Sequence, residues 1–198
     1  MFISFEGADG SGKTTQAQLL REWLEEQGHD VVACREPGGT ALGERIRELL
    51  LASEAMSGWA EATLFAAARA ELVERVVRPA LARGADVVCD RFVDSSLAYQ
   101  GVARGLGVDA VLDLNLAAIQ GLLPDRTFLL LLDPEEAGRR AGKNRDRIER
   151  EGVELQRAVD RGYRLLVDRF PDRIVPVDAS RRPAEIAAIV RHELRDAA

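Results

Sequence analysis

A glycine-rich segment near the start of the chain matches the pattern G-x-x-x-x-G-K-[ST] at residues 7–14, which read GADGSGKT. It directly follows the apolar run Met1–Phe5 and opens an amphipathic helical pattern from about Thr14 to Gln27. In that strand–loop–helix setting, consecutive backbone N–H groups and the helix N-terminus surround phosphate oxygens. The segment therefore predicts an α/β chain that binds a nucleoside triphosphate. The alternative is a glycine-rich turn that arose by chance.

The rest of the chain alternates short apolar runs with helical patterns. The further predicted strands are Val31–Cys34, Val87–Cys89, Thr127–Leu132 and Ile174–Val177. The longest predicted helix runs from about Glu61 to Arg83, with Pro79 as an expected kink. Such alternation is typical of a parallel sheet covered by helices on both faces, with ligands bound at the carboxyl ends of the strands. We predict one α/β domain spanning residues 1–198.

Composition excludes some classes of partner. The net charge is −6, which argues against nucleic-acid binding through a basic surface. The two cysteines are too few for a disulfide framework, and each is expected to be a buried thiol at a strand end. Because no run is long and apolar enough to span a membrane and residues 1–6 already form a strand pattern, we expect a cytoplasmic protein without a membrane partner.

The phosphate loop assigns chemistry to its own residues. Lys13 is expected to reach the β- and γ-phosphates of ATP, and the Thr14 hydroxyl to ligate Mg²⁺. Asp90 ends the third apolar run, where a carboxylate would hold Mg²⁺ through water, although a helix cap is the simpler interpretation. The predicted ATP-binding backbone comprises Gly7, Ala8, Asp9, Gly10, Ser11 and Gly12.

Four further segments carry a family resemblance. They are R-E-P-G-G-T at 35–40, L-F-A-A-A-R at 64–69, D-R-F at 90–92 and S-S-L-A-Y-Q-G at 95–101. With the phosphate loop, in this order and spacing from residue 1 to about 179, the chain resembles the bacterial thymidylate kinases. The resemblance implies a three-layer P-loop NTPase fold with a five-stranded parallel sheet. It also implies a Mg²⁺-dependent transfer of phosphate from ATP to dTMP, giving dTDP for dTTP synthesis, in a homodimer.

The resemblance also implies which residues read the thymine base. Phe65 would stack on the ring and Arg69 would donate to its O4, while Ser96 and Gln100 would supply the remaining base contacts. Phe65 and Arg69 lie four residues apart, so they share one helix face. Without the resemblance, an aromatic residue at helical spacing is more often part of the core. Tyr99 would lie under the deoxyribose and exclude a 2′-hydroxyl.

The remaining acceptor contacts follow from the same resemblance. Asp9 would take the sugar 3′-hydroxyl, and Arg47 would contact the 5′-phosphate, although Arg45 could be confused with it. Arg91 would clamp the acceptor phosphate during transfer. Surface arginines and ordinary salt bridges are the alternative interpretation of both arginines. Glu36 is placed at the dTMP site without an assigned role.

A basic stretch follows the fourth predicted strand. Residues 139–150 contain six basic and two acidic side chains in an otherwise acidic protein. Charged stretches are usually solvated surface, but the position matches the family lid, about residues 139–151, which delivers arginines to the transferring phosphate. Arg147 is the closest match to the family's lid arginine. Arg139 and Arg182 are predicted ATP contacts, the latter in the loop 178–182 at the adenine edge.

Two other functions remain possible at this point. One is a kinase for a different monophosphate or a deoxynucleoside, which would need another set of base contacts. The other is a regulatory ATPase that hydrolyses ATP slowly to switch conformation, which would need no acceptor pocket. The predicted Phe65, Arg69 and Gln100 set and the basic lid favour the thymidylate kinase.

Overall fold

The computed structural model describes residues 1–52, 56–140 and 147–196. Its five strands form one fully parallel sheet in the order β2-β3-β1-β4-β5. They are β1 Phe2–Gly7, β2 Val31–Arg35, β3 Asp86–Asp90, β4 Arg126–Leu131 and β5 Ile174–Asp178. The predicted fold class and strand positions are confirmed. The parallel order brings the phosphate loop, which follows the central β1, next to the end of β3.

Helices connect the strands and cover the sheet. They are α1 Lys13–Glu26, α2 Ala41–Ala52, α3 Gly58–Leu72, α4 Arg78–Ala82, α5 Val93–Ser96, α6 Val108–Ile119, α7 Pro134–Arg140, α8 Val153–Arg169 and α9 Pro183–Asp196. Two π-helical turns, Val73–Val77 and Leu97–Ala103, and a 3₁₀ turn, Glu149–Glu151, complete the described elements. Within the described ranges, no helix has the length and apolar character needed to cross a lipid bilayer.

The long helix predicted from about Glu61 to Arg83 consists of three parts. It begins earlier than predicted, at Gly58, because the Ser57 hydroxyl accepts a hydrogen bond from the Ala60 N–H and caps the helix. Before Pro79, the chain makes the π-helical turn Val73–Val77, in which the Arg78 N–H donates to the Val73 carbonyl. Proline has no N–H and its ring crowds the preceding turn, so a wider turn accommodates it.

Alternating strand residues build two cores on opposite faces of the sheet. Ile3 and Phe5 of β1 pack with α1 and α9. Phe2 belongs to the core formed with α3, α6 and α8. Cys89 lies in this second core and is buried as predicted, whereas Cys34 is only half-buried. Glu6 has the same parity as Phe2, so its side chain faces the α8 side of the sheet.

Close packing at Gly162 gives a test of the fold. A Cβ at this position of α8 would lie 3.0 Å from the backbone Cα and carbonyl oxygen of Ala98, in the π-helical turn that carries Tyr99 and Gln100. We expect Gly162→Ala to lower the free energy of unfolding by about 1–3 kcal/mol, because the clash is with backbone. Gly138→Ala, whose Cβ would meet no atom within 4 Å, is the matched control. It should be neutral or stabilising by up to about 1 kcal/mol. Urea unfolding of both variants measures the difference, and equal effects would contradict it.

Candidate active site

The phosphate loop has the backbone conformation that its sequence predicts. Gly7 adopts φ 137°, and a Cβ there would lie 2.4 Å from the Leu130 carbonyl oxygen, so only glycine fits between the loop and β4. Gly12 adopts φ 96°, and its carbonyl accepts the Gln16 N–H to start α1. The loop thus ends at a helix N-terminus, where partial positive charge favours phosphate.

Lys13 lies buried against the loop. Its ammonium donates to the Ala8 carbonyl at 2.8 Å and lies 3.7 Å from Asp9 Oδ1. Burial, followed by repulsion from the Arg91 guanidinium, lowers the pKa of Lys13 to about 8, although Asp9 and Asp90 oppose the shift. At neutral pH the lysine therefore still carries its charge, although its pKa lies close to neutral pH.

An oxygen pair that suits Mg²⁺ lies beside the loop. The Thr14 hydroxyl donates to Asp90 Oδ2 at 2.5 Å, which joins the start of α1 to the end of β3. The described residues contain no group of three or more His, Cys, Asp or Glu side chains placed to hold a metal. A pair of this kind still fits Mg²⁺, which typically takes one or two protein oxygens and completes its shell with phosphates and water.

Arg91 is fixed by several partners and by an unusual backbone. It has φ 70°, a conformation that costs a non-glycine residue energy and that clusters at functional sites. Nη1 donates to the Gly7 carbonyl at 3.1 Å, to Ser95 Oγ at 3.0 Å and to Tyr163 Oη at 3.3 Å. Nη2 binds the Asp9 carboxylate. The guanidinium therefore lies directly beside the phosphate loop.

Asp9 and Arg91 stay ionised through neutral pH. Burial alone would raise the pKa of Asp9, but the charges of Arg91 and Lys13 outweigh it and hold that pKa at about 2. For Arg91, burial acts to lower the pKa, but Asp9, Tyr99, Tyr163 and Glu6 together more than compensate, so the pKa lies well above its usual value. The two groups form a charged pair that can act without proton transfer at neutral pH.

Glu6 positions Arg91 indirectly, because it binds Ser95 and Tyr163, which in turn bind Arg91. The sequence analysis missed this role. Glu6 Oε1 accepts the Phe92 N–H at 2.7 Å and the Ser95 N–H at 3.1 Å. Its Oε2 accepts the Ser95 hydroxyl at 2.6 Å and the Tyr163 hydroxyl at 3.0 Å. Burial, and then the nearby Asp94 carboxylate, raise the pKa of Glu6. Its position immediately before Gly7, as the one charged residue of a mainly apolar strand, was the signal available in the sequence.

One cleft of about 610 Å³ joins the phosphate loop to the predicted acceptor residues. Its wall includes Asp9, Lys13, Thr14, Asp90 and Arg91, together with Glu36, Arg47, Phe65, Ser96, Tyr99 and Gln100. Leu51 and Ile148 also line the cleft and were not predicted. The structure therefore brings together three of the four residues predicted for catalysis, Asp9, Lys13 and Arg91, and most of those predicted for dTMP.

Tyr99 forms part of the cleft wall next to Arg91. It is 7% exposed, and the Arg91 guanidinium lies 5.7 Å from the centre of its ring. Burial raises the pKa of the Tyr99 hydroxyl, so the phenol stays protonated at neutral pH. The π-helical turn Leu97–Ala103 carries both Tyr99 and Gln100, and such turns occur often at functional sites.

Arg69 lies behind the cleft wall rather than in it. It is 1% exposed, and the described residues that line the cleft do not include it. Its guanidinium donates to Glu36, Ser96, Asn115 and the Phe92 carbonyl. A direct bond to a base carbonyl stays a prediction, and it requires one of these N–H groups to change partner. Asn115, which sequence reasoning missed, is fixed by its own bond of 2.8 Å to the Val111 carbonyl.

Glu36 connects Arg69 to the cleft. Its Oε2 accepts the Arg69 Nε–H at 2.7 Å, and burial raises the pKa of the carboxyl to about 7 against the opposing charge of Arg69. Glu36 Oε1 is buried and has no hydrogen-bond partner within the described part of the chain. Arg47 lines the same cleft as Glu36. It donates to the Pro37 carbonyl at 2.9 Å and so connects α2 to the loop after β2.

Arg147 has a different environment from that expected of a lid arginine. It is 9% exposed, its Nη2 donates to Glu61 Oε2 at 2.6 Å, and its Nε donates to the Leu50 carbonyl at 2.9 Å. A contact with a transferring phosphate stays a prediction, and it would require release from both partners. The predicted lid residues 141–146 lie outside the described residues.

The two remaining predicted ATP contacts are exposed, Arg139 in the last turn of α7 and Arg182 in the loop before α9. Arg139 pairs with Glu136, and Arg182 pairs with Glu185. Arg182 lines a hollow of about 380 Å³ whose walls are Ser11, Gly12 and Thr15 of the loop and α1, together with residues 179–183. This hollow adjoins the phosphate loop where the adenine edge was predicted. Arg139 lines a separate hollow beside β4 and β5.

Comparisons with known proteins agree on one family. Residues 5–189 match the family model described as thymidylate kinase. The thymidylate kinase of Symbiobacterium thermophilum is 52% identical over 194 residues, covering 96% of this chain and 91% of the relative. That of Gloeobacter violaceus is 53% identical over 184 residues, covering 90% and 87%.

A solved structure gives the same result. The crystal structure of thymidylate kinase from Ehrlichia chaffeensis superposes with a TM-score of 0.83 at 34% identity, covering 98% of both chains. The matched segment contains the phosphate loop and the whole cleft wall. The chain therefore belongs to the thymidylate kinase family.

Proposed function

We propose that this chain transfers the γ-phosphate of ATP to dTMP, giving ADP and dTDP for dTTP synthesis. The observation that carries the proposal is that one cleft is lined both by Lys13 and Arg91 and by the predicted acceptor residues Phe65, Tyr99 and Gln100. Two anionic nucleotides can approach each other only where cations converge, and this cleft is lined by a lysine and an arginine. A regulatory ATPase would have no need of the acceptor side.

On the donor side, the backbone of residues 7–12 would hold the ATP phosphates, and Lys13 would neutralise charge on the β- and γ-phosphates as it develops. Thr14, with Asp90 through water, would hold Mg²⁺. When bound, that ion would supply positive charge that neutralises the transferring phosphate. Arg182 and Arg139 would reach the nucleotide from its outer edge.

On the acceptor side, Arg91 would clamp the dTMP phosphate, helped by Arg47. Asp9, ionised at a pKa of about 2, would accept the 3′-hydroxyl. Phe65 would stack on thymine, while Ser96 and Gln100, with Arg69 behind them, would read its polar edge. Tyr99 would close the space needed by a 2′-hydroxyl. Glu36 would hold Arg69 in place.

The lid would complete the site. We propose that residues 139–151 close over ATP and exclude water, and that Arg147 either joins the phosphates on closure or anchors the segment that carries Ile148. We further propose a cytoplasmic homodimer. Exposed apolar side chains on α2 and α3, Leu42, Leu49 and Trp59, offer a surface for the second copy. Sedimentation of the purified protein tests this, and a monomer at all concentrations would reject the dimer.

Acceptor selectivity tests the proposed function. With ATP and Mg²⁺, dTMP should be the best acceptor, and dUMP, which lacks only the methyl group, should have a kcat/KM lower by about tenfold. The acceptors dCMP, dAMP and dGMP should be at least about 10³-fold poorer, because their edges leave buried polar groups of the site unpaired. Nearly equal turnover of several monophosphates would favour the second candidate, a kinase of broad acceptor range.

The low pKa of Lys13 predicts a pH dependence. In the free enzyme, Lys13 loses its charge as the pH rises through about 8, so kcat/KM for ATP should fall above that pH. Bound phosphates favour the protonated amine, so kcat should fall only at higher pH. Rate profiles from pH 6 to pH 10 check this. A kcat/KM that stays constant to pH 10 would contradict it.

A further inference from the structure

Glu61 is a buried carboxylate to which none of the steps above assigns a role. It lies in the first turn of α3, is 1% exposed, and is not one of the described residues that line the cleft. Isolated buried carboxylates are costly, so its retention requires compensating partners. Those partners come from two parts of the chain that are distant from Glu61 in sequence, residues 100–104 and residue 147.

Each oxygen of Glu61 accepts two hydrogen bonds. Oε1 accepts from Gln100 Nε2 at 2.8 Å and from Arg104 Nε at 3.0 Å. Oε2 accepts from Arg104 Nη2 at 3.0 Å and from Arg147 Nη2 at 2.6 Å. Burial by itself raises the pKa of Glu61, but the bonds from Arg104, Gln100 and Arg147 outweigh it and lower the pKa. Glu61 is therefore an ionised acceptor at neutral pH.

A carboxylate that can only accept fixes the orientation of the Gln100 amide. If the amide were flipped, its carbonyl oxygen would face Glu61 Oε1 and the two acceptors would repel. The Nε2 end must therefore point at Glu61. Gln100 itself lines the cleft, so Glu61 decides which end of the amide a ligand meets.

The orientation of that amide distinguishes two kinds of pyrimidine. Thymine and uracil present an N3–H donor beside a carbonyl at C4. Cytosine presents an N3 acceptor beside an amino group. An amide carbonyl that accepts from N3–H, with an amide N–H beside it, complements the first pair. Against cytosine, the same carbonyl would face the N3 acceptor and the same N–H would face the amino group, so neither hydrogen bond could form.

We propose that Glu61 is a positioning residue for acceptor selectivity: it holds the Gln100 amide in the orientation that accepts a pyrimidine-2,4-dione and rejects a 4-aminopyrimidine. The inference rests on the proposed function, because it requires the base of the acceptor nucleotide to meet Gln100. It adds a residue outside the cleft to those that set specificity.

The same carboxylate connects Gln100 to the C-terminal part of the proposed lid, residues 147–151. Arg147, bound to Glu61, also anchors residues 147–151 to the end of α2, because its side-chain Nε donates to the Leu50 carbonyl at 2.9 Å. Ile148, the next residue, lines the cleft. Removing the Arg147 side chain should therefore raise KM for every acceptor, and it should leave selectivity intact because Glu61 still faces Gln100.

The test is Glu61→Gln, which keeps the size of the side chain and removes the requirement for a donor at Gln100. The ratio of kcat/KM for dTMP to that for dCMP should fall by at least about tenfold, since the Gln100 amide can now flip. The ratio of dTMP to dUMP should stay within about twofold, because both bases present the same polar edge. A general loosening of the site would change both ratios.

Two controls separate positioning from stability. Asp94→Asn also removes the charge of a carboxylate from a buried ion pair, with Arg173 at 2.6 Å, and should lower the melting temperature with the dTMP to dCMP ratio unchanged. In a Gln100→Ala background, Glu61→Gln should change the ratio no further, because the two residues act as one unit. If Glu61→Gln does not fold, Arg104→Met serves instead. It keeps the hydrogen bond between the Glu61 carboxylate and Gln100, so the dTMP to dCMP ratio should be unchanged.

The outcomes are distinct from those that test the function. If the wild type does not prefer dTMP, the proposed function fails. If it does, and Glu61→Gln keeps the dTMP to dCMP ratio, or Arg104→Met loses it, the positioning role of Glu61 is wrong.

Discussion

Lys13→Met is expected to lower kcat/KM by roughly 10³-fold while leaving the protein at least as stable as the wild type. The loss of activity follows from the removal of a preorganised cation beside the β- and γ-phosphates. Methionine has a similar length, so the loop keeps its packing. Coupled-enzyme kinetics and urea unfolding at pH 7 measure the two effects on the same preparation.

The stability part of this prediction follows from the sign of the pKa shift. The pKa of Lys13 is lowered to about 8, so between pH 8 and its ordinary value of 10.5 the native state binds fewer protons than the unfolded state. Stability should therefore rise with pH across that window, and at neutral pH the buried charge is a cost. Removing it should stabilise the fold by about 1 kcal/mol, after allowance for the lost bond to the Ala8 carbonyl.

A matched variant on the same helix provides the control. Arg21→Met removes a cation from α1 that pairs with Glu25 at 3.7 Å on the helix surface. The activation free energy derived from kcat/KM and the free energy of unfolding should each change by no more than about 0.5 kcal/mol. A stable Lys13→Met protein with near wild-type turnover would remove Lys13 from the proposed mechanism.

Arg91→Met is expected to have the second large effect, a fall in kcat of about 10³-fold, because it removes the guanidinium that we propose clamps the acceptor phosphate. Arg91→Lys keeps a charge but cannot present two donors at once to phosphate and Asp9. It should therefore recover activity only in part. Steady-state kinetics with dTMP varied at saturating ATP separates the two variants.

Unlike Lys13→Met, the Arg91→Met variant should be less stable than the wild type. Arg91 is the foremost attraction that lowers the pKa of Asp9 to about 2. That depressed pKa contributes stability above the ordinary value of 3.8, which is lost as pH falls from 3.8 towards 2. We expect Arg91→Met to cost about 1 kcal/mol at pH 7 and less near pH 3.5, since Asp9 is partly exposed. A variant of unchanged stability and turnover would contradict the clamp.

The sequence predicted the architecture well because the governing signals are local. Apolar runs separated by helical periodicity determine a parallel sheet, and all five predicted strands occur within two residues of their observed bounds. The start of α3 was missed because the Ser57 cap precedes the apolar pattern on which the prediction relied. The π-helical turn before Pro79 is how the chain accommodates the expected kink.

The site was harder to predict where contacts between residues distant in sequence determine the environment of a side chain. The phosphate loop and the Asp90–Arg91 pair follow from motifs whose geometry is set by adjacent residues. The environments of Arg69 and Arg147 depend on Asn115, Glu36 and Glu61, which come from other elements. A pattern in the sequence gives the residue type at a position, but the partners that occupy its N–H groups are known only from the fold.

The most direct test of the central claim is whether phosphate moves between two nucleotides. ³¹P NMR of the protein with ATP and Mg²⁺, with and without dTMP, follows ADP, dTDP and inorganic phosphate in one sample. The account predicts one dTDP for each ADP when dTMP is present, and almost no ADP or inorganic phosphate without it. ADP and inorganic phosphate forming at the same rate with or without dTMP would contradict it and identify an ATPase instead.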